Sequence, residues 1–131
     1  AFAPAIELID TRITNWQIKL CDTIADNASS AGWVLGEARV SPKDIDIRAI
    51  DAVLTNNGEV VAEGRSDAVL GNPVTAVAWL ARKVEAFGGV RLKAGDIVLP
   101  GGSCTRAIDA PPGSHFVADF TGLGSVQLSF E

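Results

Sequence analysis

Apolar and polar residues alternate in the opening segment, and this pattern predicts a strand. Residues 4–10 read PAIELID, so Ile6 and Leu8 fall on one face and Glu7 on the other. A period of two residues is typical of a β-strand. We therefore expect a buried strand over residues 4–10 that carries a carboxylate among apolar neighbours.

Two further pairs of apolar runs predict β-hairpins. The runs at 45–54 and 59–64 are joined by Thr-Asn-Asn-Gly, and Asn-Gly supplies the positive φ angles of a tight turn. Near the end of the chain, residues 115–120 and 125–130 alternate around Gly-Leu-Gly, after a predicted turn at Pro111-Pro112-Gly113. Both pairs favour antiparallel strands.

Helical spacing appears at two places. Within residues 12–20, apolar side chains recur at positions 13, 16 and 20, which predicts a short amphipathic helix. The stronger pattern covers residues 72–88, where Asn72 is a natural N-cap and Pro73 suits the first helical position. Gly88-Gly89 would end this helix.

Three more segments complete the predicted fold. Residues 96–99 are expected to form a strand and residues 100–105 a glycine-rich loop. Residues 22–30 are small and polar between apolar segments, a setting in which such groups often line a site. No internal repeat is present, so the fold class is α+β with a β-dominated core and one substantial helix.

Composition and charge exclude several classes of protein. The chain has 131 residues, of which 47% are hydrophobic, enough to bury the core of one domain and to exclude intrinsic disorder. A net charge of −5 without a basic cluster disfavours nucleic-acid binding. The longest nearly apolar stretch, residues 68–81, is interrupted by Gly-Asn-Pro and is shorter than the roughly 20 residues that a membrane span needs.

The cysteines and the first residues bear on localisation. Cys21 and Cys104 are too few for a disulfide framework, and we expect them to be small, buried thiols of a cytoplasmic protein. Residues 1–4 lack the basic and apolar regions of a signal peptide. Since the sequence opens with Ala1 and a strand is predicted almost at once, we expect it to be part of a longer chain.

The glycine-rich loop and the sole histidine offer little for catalysis. The loop resembles a nucleophile elbow, but Thr105 stands where a GxSxG motif requires glycine. It also lacks the lysine of a phosphate-binding loop, although close approach of its backbone to some ligand remains open. His115 has no second histidine to work with and is expected to be a partly exposed strand residue.

Glu7 is the residue whose setting most suggests a site. An unpaired carboxylate is costly to bury, so Glu7 is expected to be either salt-bridged or bound to a metal. From the residues alone, structural pairing is favoured over metal binding, and both alternatives stay open.

Three stretches resemble one enzyme family. Residues 4–12 (PAIELIDTR) are similar to the PAIEIxDSR strand of the 2-oxopent-4-enoate (2-hydroxypenta-2,4-dienoate) hydratases, within the fumarylacetoacetate hydrolase superfamily. Residues 22–36 (DTIADNASSAGWVLG) resemble the DTxADNASSxxxVLG segment of that family. Residues 70–81 and 94–99 resemble its LGxPxxAvaWLA and aGDivl stretches, and Gly122-Leu123-Gly124 also matches. The related 4-oxalocrotonate decarboxylases share these motifs.

This resemblance implies a fold and a metal. Residues 1–131 would be the C-terminal catalytic segment of a mixed sheet or roll of the fumarylacetoacetate hydrolase type. Family members run to roughly twice this length, and their N-terminal half, absent here, supplies a Glu-x-Glu pair and a catalytic lysine. Glu7 corresponds to the third carboxylate ligand, so the resemblance favours metal binding, by Mg²⁺ or Mn²⁺, over the salt bridge.

The implied activity is hydration of 2-hydroxypenta-2,4-dienoate to 4-hydroxy-2-oxopentanoate, in meta-cleavage catabolism of aromatic compounds or steroids. By the resemblance, Ser29 is the catalytic, substrate-contacting hydroxyl and Asn27 orients its segment. A helix-end cap is the structural alternative for Ser29. Ser103 and Thr105 are weaker candidates for contact with the substrate where the loop closes the pocket.

Structural roles are expected for the charged residues around the strand that carries Glu7. Asp10 and Arg12 would form a pair that braces the strand, and Asp26 would pair with a neighbour. Arg106, just after the glycine-rich loop, could instead recognise a second substrate carboxylate.

Other functions remain open. The nearest is the sister 4-oxalocrotonate decarboxylase, which uses the same metal chelation. An acylpyruvate hydrolase is another option, and a non-catalytic fragment or assembly subunit belongs to a different class. The expected partners are a small 2-hydroxydienoate or 2-oxo acid, the missing N-terminal half, further copies in a homo-oligomer and an associated pathway enzyme.

Overall fold

The structure is a computed structural model that describes residues 1–89, 91–101 and 107–131. Its strands are β1 (Ala5–Ile9), β2 (Ser30–Leu35), β3 (Asp51–Asn56), β4 (Glu59–Arg65), β5 (His115–Phe120) and β6 (Gly124–Ser129). Its α-helices are α1 (Leu20–Ala25) and α2 (Pro73–Ala86), and short 3₁₀ turns cover Thr14–Trp16, Asn27–Ser29 and Ser66–Ala68.

The strands form two antiparallel sheets. β1 pairs with β2, and the larger sheet has the order β4-β3-β5-β6. The predicted α+β class with a β-dominated core and one substantial helix is confirmed. No helix among the described residues is long and apolar enough to cross a membrane.

The hydrophobic core lies on the four-stranded sheet. The strand register places Ala62, Leu54, Ala118 and Val126 in one row across the four strands. Beside this row, the ring of Phe116 meets that of Phe130 edge to face, with centroids 6.0 Å apart. Burial of this apolar surface is the main stabilising contribution of the sheet.

The two sheets meet at Gly36. Its amide donates to the carbonyl of the buried Pro4 at 2.9 Å. A Cβ atom at this position would lie 2.6 Å from Cγ of Pro4 and would collide with the carbonyl oxygen of Ser125 in β6. Only glycine therefore fits at this junction.

Both predicted hairpins are present. β3 and β4 are joined by Asn57 and Gly58, whose φ angles of 50° and 86° are those expected of an Asn-Gly turn. β5 and β6 form the second hairpin. The first run begins later than predicted, because residues 45–50 form turns in which the side chain of Asp46 accepts from the backbone of Arg48.

The long helix also follows the prediction. The side chain of Asn72 accepts a hydrogen bond from the Val74 amide at 3.0 Å, and Pro73 is the first helical residue. The helix ends at Ala86, so Phe87 lies beyond it and is 85% exposed.

The prediction of a helix over residues 12–20 was wrong. Asn15 and Trp16 have φ angles of 54° and 55°, which interrupt any helix there. The helix starts at Leu20 instead, where the side chain of Asp22 accepts from the Lys19 amide and caps the first turn. Helical spacing was misleading because Trp16 and Leu20 are exposed and have no core to pack against.

Two other predictions need correction. Residues 96–99 form no strand, since the carboxylate of Asp96 accepts from the Lys93 amide at 2.7 Å and holds a turn. Cys21, expected to be buried, is exposed on α1, and Cys104 lies outside the described residues. His115 is an exposed residue of β5, as expected, with Nδ1 2.8 Å from the Ser129 hydroxyl.

Candidate active site

An open cleft of about 1280 Å³ adjoins β1. Its described lining comes mainly from residues 1–3, from strands of both sheets, from α2 and from residues 96–101 and 107–110. Most of these side chains are apolar, and the charged ones are Glu7, Asp10, Arg39, Asp96 and Asp109. A small-molecule site is also mostly apolar with a few polar groups, but this cleft is larger than the roughly 300–1,000 Å³ of such sites.

Glu7 lies in the middle of β1, paired in register with Trp33 of β2. It is partly buried and lines the cleft, with Asp10 three residues further along. The described residues contain no group of three or more His, Cys, Asp or Glu side chains that could hold a metal ion. The carboxylate of Glu7 is a suitable donor for a hard divalent cation, but within this part of the chain it would be one ligand of an incomplete set.

Asp26 lies at the end of α1, and its side chain is only 7% exposed. Its carboxylate accepts hydrogen bonds from the Thr11 hydroxyl at 2.9 Å, the Arg12 amide at 3.2 Å and the Arg12 guanidinium at 3.1 Å. Burial raises the pKa of Asp26, but these bonds and the charge of Arg12 outweigh it, so the pKa lies below its ordinary value of 3.8. Asp26 is therefore a firmly ionised anchor, and its predicted pairing with a neighbour is found.

The predicted pair of Asp10 with Arg12 was wrong. Arg12 binds Asp26 instead, 14 residues away in sequence. The physical reason is burial, because the carboxylate of Asp26 is shielded from water and needs partners, whereas Asp10 is exposed and solvated. The sequence showed that Asp10 lies two residues from Arg12, but it could not indicate that Asp26, 14 residues away, is the buried partner.

A left-handed turn follows Asp26. Asn27, Ala28 and Ser29 have φ angles of 52°, 57° and 58°, a conformation that costs non-glycine residues roughly 1–2 kcal/mol each. The Ser29 amide donates to the Asp26 carbonyl at 2.8 Å, and the Ser29 carbonyl accepts from the Asp10 amide at 2.9 Å. Surrounding bonds must hold such a strained turn, and strain of this kind clusters at functional sites.

The structure brings only some of the predicted site residues close together. Ser29 is 5% exposed and is bonded through its backbone to Asp10, but it is not among the described residues that line the cleft. Ser29 is the last residue of the 3₁₀ turn Asn27–Ser29, and the end of α1 is occupied by Asp26. Asn27 is exposed, and Ser103 and Thr105 lie outside the described residues, as does Arg106.

Sequence reasoning did not find that Asp26 joins two segments. Its carboxylate binds Arg12, and its carbonyl accepts from the Ser29 amide. The only signal in the sequence was a carboxylate between apolar segments.

Comparison with known proteins identifies the class. The profile of the fumarylacetoacetate (FAA) hydrolase C-terminal family matches residues 2–130, and the chain belongs to this family. The resemblance found in the sequence is thereby confirmed.

Individual relatives are named hydratases and decarboxylases. The chain is 46% identical over 126 residues to a 2-keto-4-pentenoate hydratase of Paraburkholderia phymatum, covering 96% of this chain and 47% of that protein. It is 41% identical over 133 residues to a 2-oxo-hept-4-ene-1,7-dioate hydratase of Escherichia coli, covering 97% of this chain and 49% of that one. The chain thus spans about half the length of the curated relatives it matches.

A solved structure shares the fold. The 4-oxalocrotonate decarboxylase of Pseudomonas putida G7, complexed with magnesium and adipate, superposes with a TM-score of 0.91 at 36% identity. The match covers 98% of this chain and 48% of the decarboxylase.

Proposed function

We propose that this chain is the C-terminal half of a divalent-metal-dependent hydratase that converts 2-hydroxypenta-2,4-dienoate to 4-hydroxy-2-oxopentanoate. The observation that carries the proposal is Glu7, a carboxylate on β1 that lines a largely apolar cleft in a chain 46% identical to a 2-keto-4-pentenoate hydratase. The reaction would belong to the meta-cleavage breakdown of aromatic compounds or steroids.

Glu7 would supply one metal ligand. Oxygen donors suit Mg²⁺ and Mn²⁺, and a related structure is complexed with magnesium. The remaining carboxylates would come from the half of the protein outside this chain, consistent with the incomplete donor set of the described residues. When bound, the cation would stabilise negative charge on the substrate's C2 oxygen.

The other residues of this half would bind and orient the substrate. The apolar wall, which includes Leu54, Val77 and Leu99, would hold the hydrocarbon tail and exclude bulk water. By the family resemblance, Ser29 would donate a hydrogen bond to the substrate, in a position maintained by Asn27 and the left-handed turn, although its side chain is buried and outside the described lining of the cleft. Ser103 and Thr105, which lie outside the described residues, would contact the substrate.

The described lining of the cleft carries more acidic than basic side chains. Arg39 is the one guanidinium among the described lining residues, and its Nη1 already donates to the carbonyls of Gly36 and Ala38. Asp10, Asp96 and Asp109 add negative charge to the same lining. A substrate carboxylate would therefore need the cation, or a basic group outside the described residues such as Arg106, as its partner.

The accessible surface of this chain is larger than expected for a compact monomer, which supports the proposal that further protein covers part of it. The chain exposes 8772 Å², whereas a compact monomer of 13.6 kDa exposes about 6,600 Å². The N-terminal half, and further copies in a homo-oligomer, would cover the difference. An associated pathway enzyme is a further partner that we propose.

The test is metal-dependent turnover by the complete enzyme. We expect the absorbance of 2-hydroxypenta-2,4-dienoate to decay only with Mg²⁺ or Mn²⁺ present, and Glu7→Gln to abolish the decay. Glu63→Gln on β4 is the matched control, because Glu63 is also a strand glutamate but is exposed. Full activity of Glu7→Gln, or decay without metal, would contradict the proposal, and faster CO₂ release from 4-oxalocrotonate would favour the decarboxylase.

A further inference from the structure

Three residues form a clamp between the end of β1 and the left-handed turn. We call Thr11, Arg12 and Asp26 the Asp26 clamp. The Asp26 carboxylate receives bonds from the Thr11 hydroxyl and from the backbone and guanidinium of Arg12, and the Arg12 guanidinium also lies 3.4 Å from the Asp26 carbonyl. These bonds join segments 14 and 15 residues apart in sequence.

The far side of the clamp reaches the candidate site. The Asp26 carbonyl accepts from the Ser29 amide, and the Ser29 carbonyl accepts from the amide of the cleft-lining Asp10. Asp10 follows the strand that carries Glu7 by three residues. A continuous set of hydrogen bonds therefore connects the clamp, the left-handed turn and the end of β1.

We propose that Asp26 is a positioning residue, which with Thr11 and Arg12 keeps the Asn27–Ser29 turn left-handed and so fixes Ser29 relative to Glu7. This inference rests on the proposed hydratase function for its catalytic consequence. Three consecutive non-glycine residues with positive φ return to ordinary backbone conformations unless other bonds hold them. Of those bonds, the ones from Thr11 and Arg12 tie the turn to the end of β1.

The clamp can be broken without collapse of the fold. The side chain of Arg12 is 60% exposed, so removal of its partner leaves the guanidinium in contact with water rather than buried and unpaired. Apart from Pro4, the buried apolar residues of the described chain lie elsewhere, between Ile50 and Val126. We therefore expect a local change in the turn rather than global unfolding.

The first experiment measures turnover by the complete enzyme with Mg²⁺ and 2-hydroxypenta-2,4-dienoate. We expect Asp26→Asn to lower kcat by about 100-fold, the effect of a misplaced catalytic group, with KM changed much less. Thr11→Val, which removes the hydroxyl donor, should lower kcat, and Thr11→Ser, which retains it, should restore kcat. Asp46→Asn, which breaks the exposed pair with Arg48, is the matched control and should leave kcat unchanged.

The second experiment does not depend on activity. Amide hydrogen exchange in Asp26→Asn should become faster by about tenfold or more at Asp10 and Ser29, as expected for loss of a hydrogen bond, while the β3–β4 hairpin keeps its wild-type rate. Unchanged exchange at both amides would overturn the clamp. Faster exchange with a normal kcat in an active enzyme would overturn its positioning role.

These readouts separate the two proposals. If the wild-type enzyme shows no hydratase turnover but exchange rises at Asp10 and Ser29, the hydratase assignment fails and the clamp is supported. If turnover is metal-dependent and both kcat and exchange respond as expected, both proposals are supported.

Discussion

The four-stranded sheet and the segment from β1 to β2 are stabilised in different ways. Apart from Pro4, the buried apolar residues of the described core lie between Ile50 and Val126. In residues 5–35 the buried side chains are the polar ones of Asp26 and Ser29, and large apolar side chains such as Leu20 are exposed. The sheet is held by apolar packing and the β1–β2 segment by hydrogen bonds around a carboxylate, so mutations should affect them differently.

The largest expected loss of stability is in the sheet. Phe116→Ala should lower the free energy of unfolding by about 3–5 kcal/mol, because it leaves a cavity at a buried ring that packs on Phe130. Phe87→Ala is the control, since Phe87 is 85% exposed and its loss should cost less than about 0.5 kcal/mol. Urea unfolding of the complete protein measures both, and equal losses would contradict this picture of the core.

A smaller loss is expected at the junction of the two regions. Gly36→Ala should cost about 1–3 kcal/mol, because its Cβ would collide with Ser125 and Pro4. Gly32→Ala on β2 is the matched control, since a Cβ there lies 4.0 Å from the Leu8 side chain. Comparable thermal midpoints for the two variants would show that the sheets do not meet as closely as described.

In the β1–β2 segment, the loss should depend on pH. The pKa of Asp26 is lowered by folding, so its stabilising contribution is present above the ordinary value of 3.8 and is lost as the pH falls through the folded value. Asp26→Asn should therefore be less stable than wild type at pH 7, by less than the junction variant. This difference should shrink progressively below pH 3.8.

Urea midpoints measured from pH 7 to pH 2.5 check this expectation. Asp119→Asn, which changes an exposed carboxylate of β5, is the control. A wild-type advantage over Asp26→Asn that stays constant down to pH 2.5 would contradict the role of the ionised carboxylate.

The smallest expected effect is at the start of α2. Asn72→Ala should cost about 1 kcal/mol, because it removes the side-chain acceptor for the Val74 amide. Asn72→Ser keeps an acceptor and should recover most of the loss in thermal unfolding. If the alanine and serine variants have the same midpoint, the cap does not contribute to stability.

Elements that depend on local sequence signals could be predicted, and elements that depend on the folded chain could not. The β3–β4 hairpin and α2 depend on local signals, Asn57-Gly58 and Asn72-Pro73, and both were predicted correctly. Helix α1 was misplaced because its position depends on the side chain of Asp22 and because an exposed Leu20 carries no information about packing.

The site was less accessible to prediction than the fold. The partner of Arg12 is decided by which aspartate is buried, and burial depends on the folded chain rather than on spacing. The proposed metal role of Glu7 would need further ligands that the described residues do not supply. The residues alone therefore left metal binding and a salt bridge open, and the resemblance to a family favoured the metal.

The most direct test of the central claim is metal binding at Glu7. Titration of Mn²⁺ into the complete enzyme, followed by the loss of the free-ion electron paramagnetic resonance signal, compares wild type with Glu7→Gln and Glu63→Gln. We expect Glu7→Gln to weaken Mn²⁺ binding by more than about 100-fold, beyond the range for loss of an outer-shell contact, and Glu63→Gln to bind as wild type does. Equal binding by all three proteins would show that Glu7 is not a metal ligand.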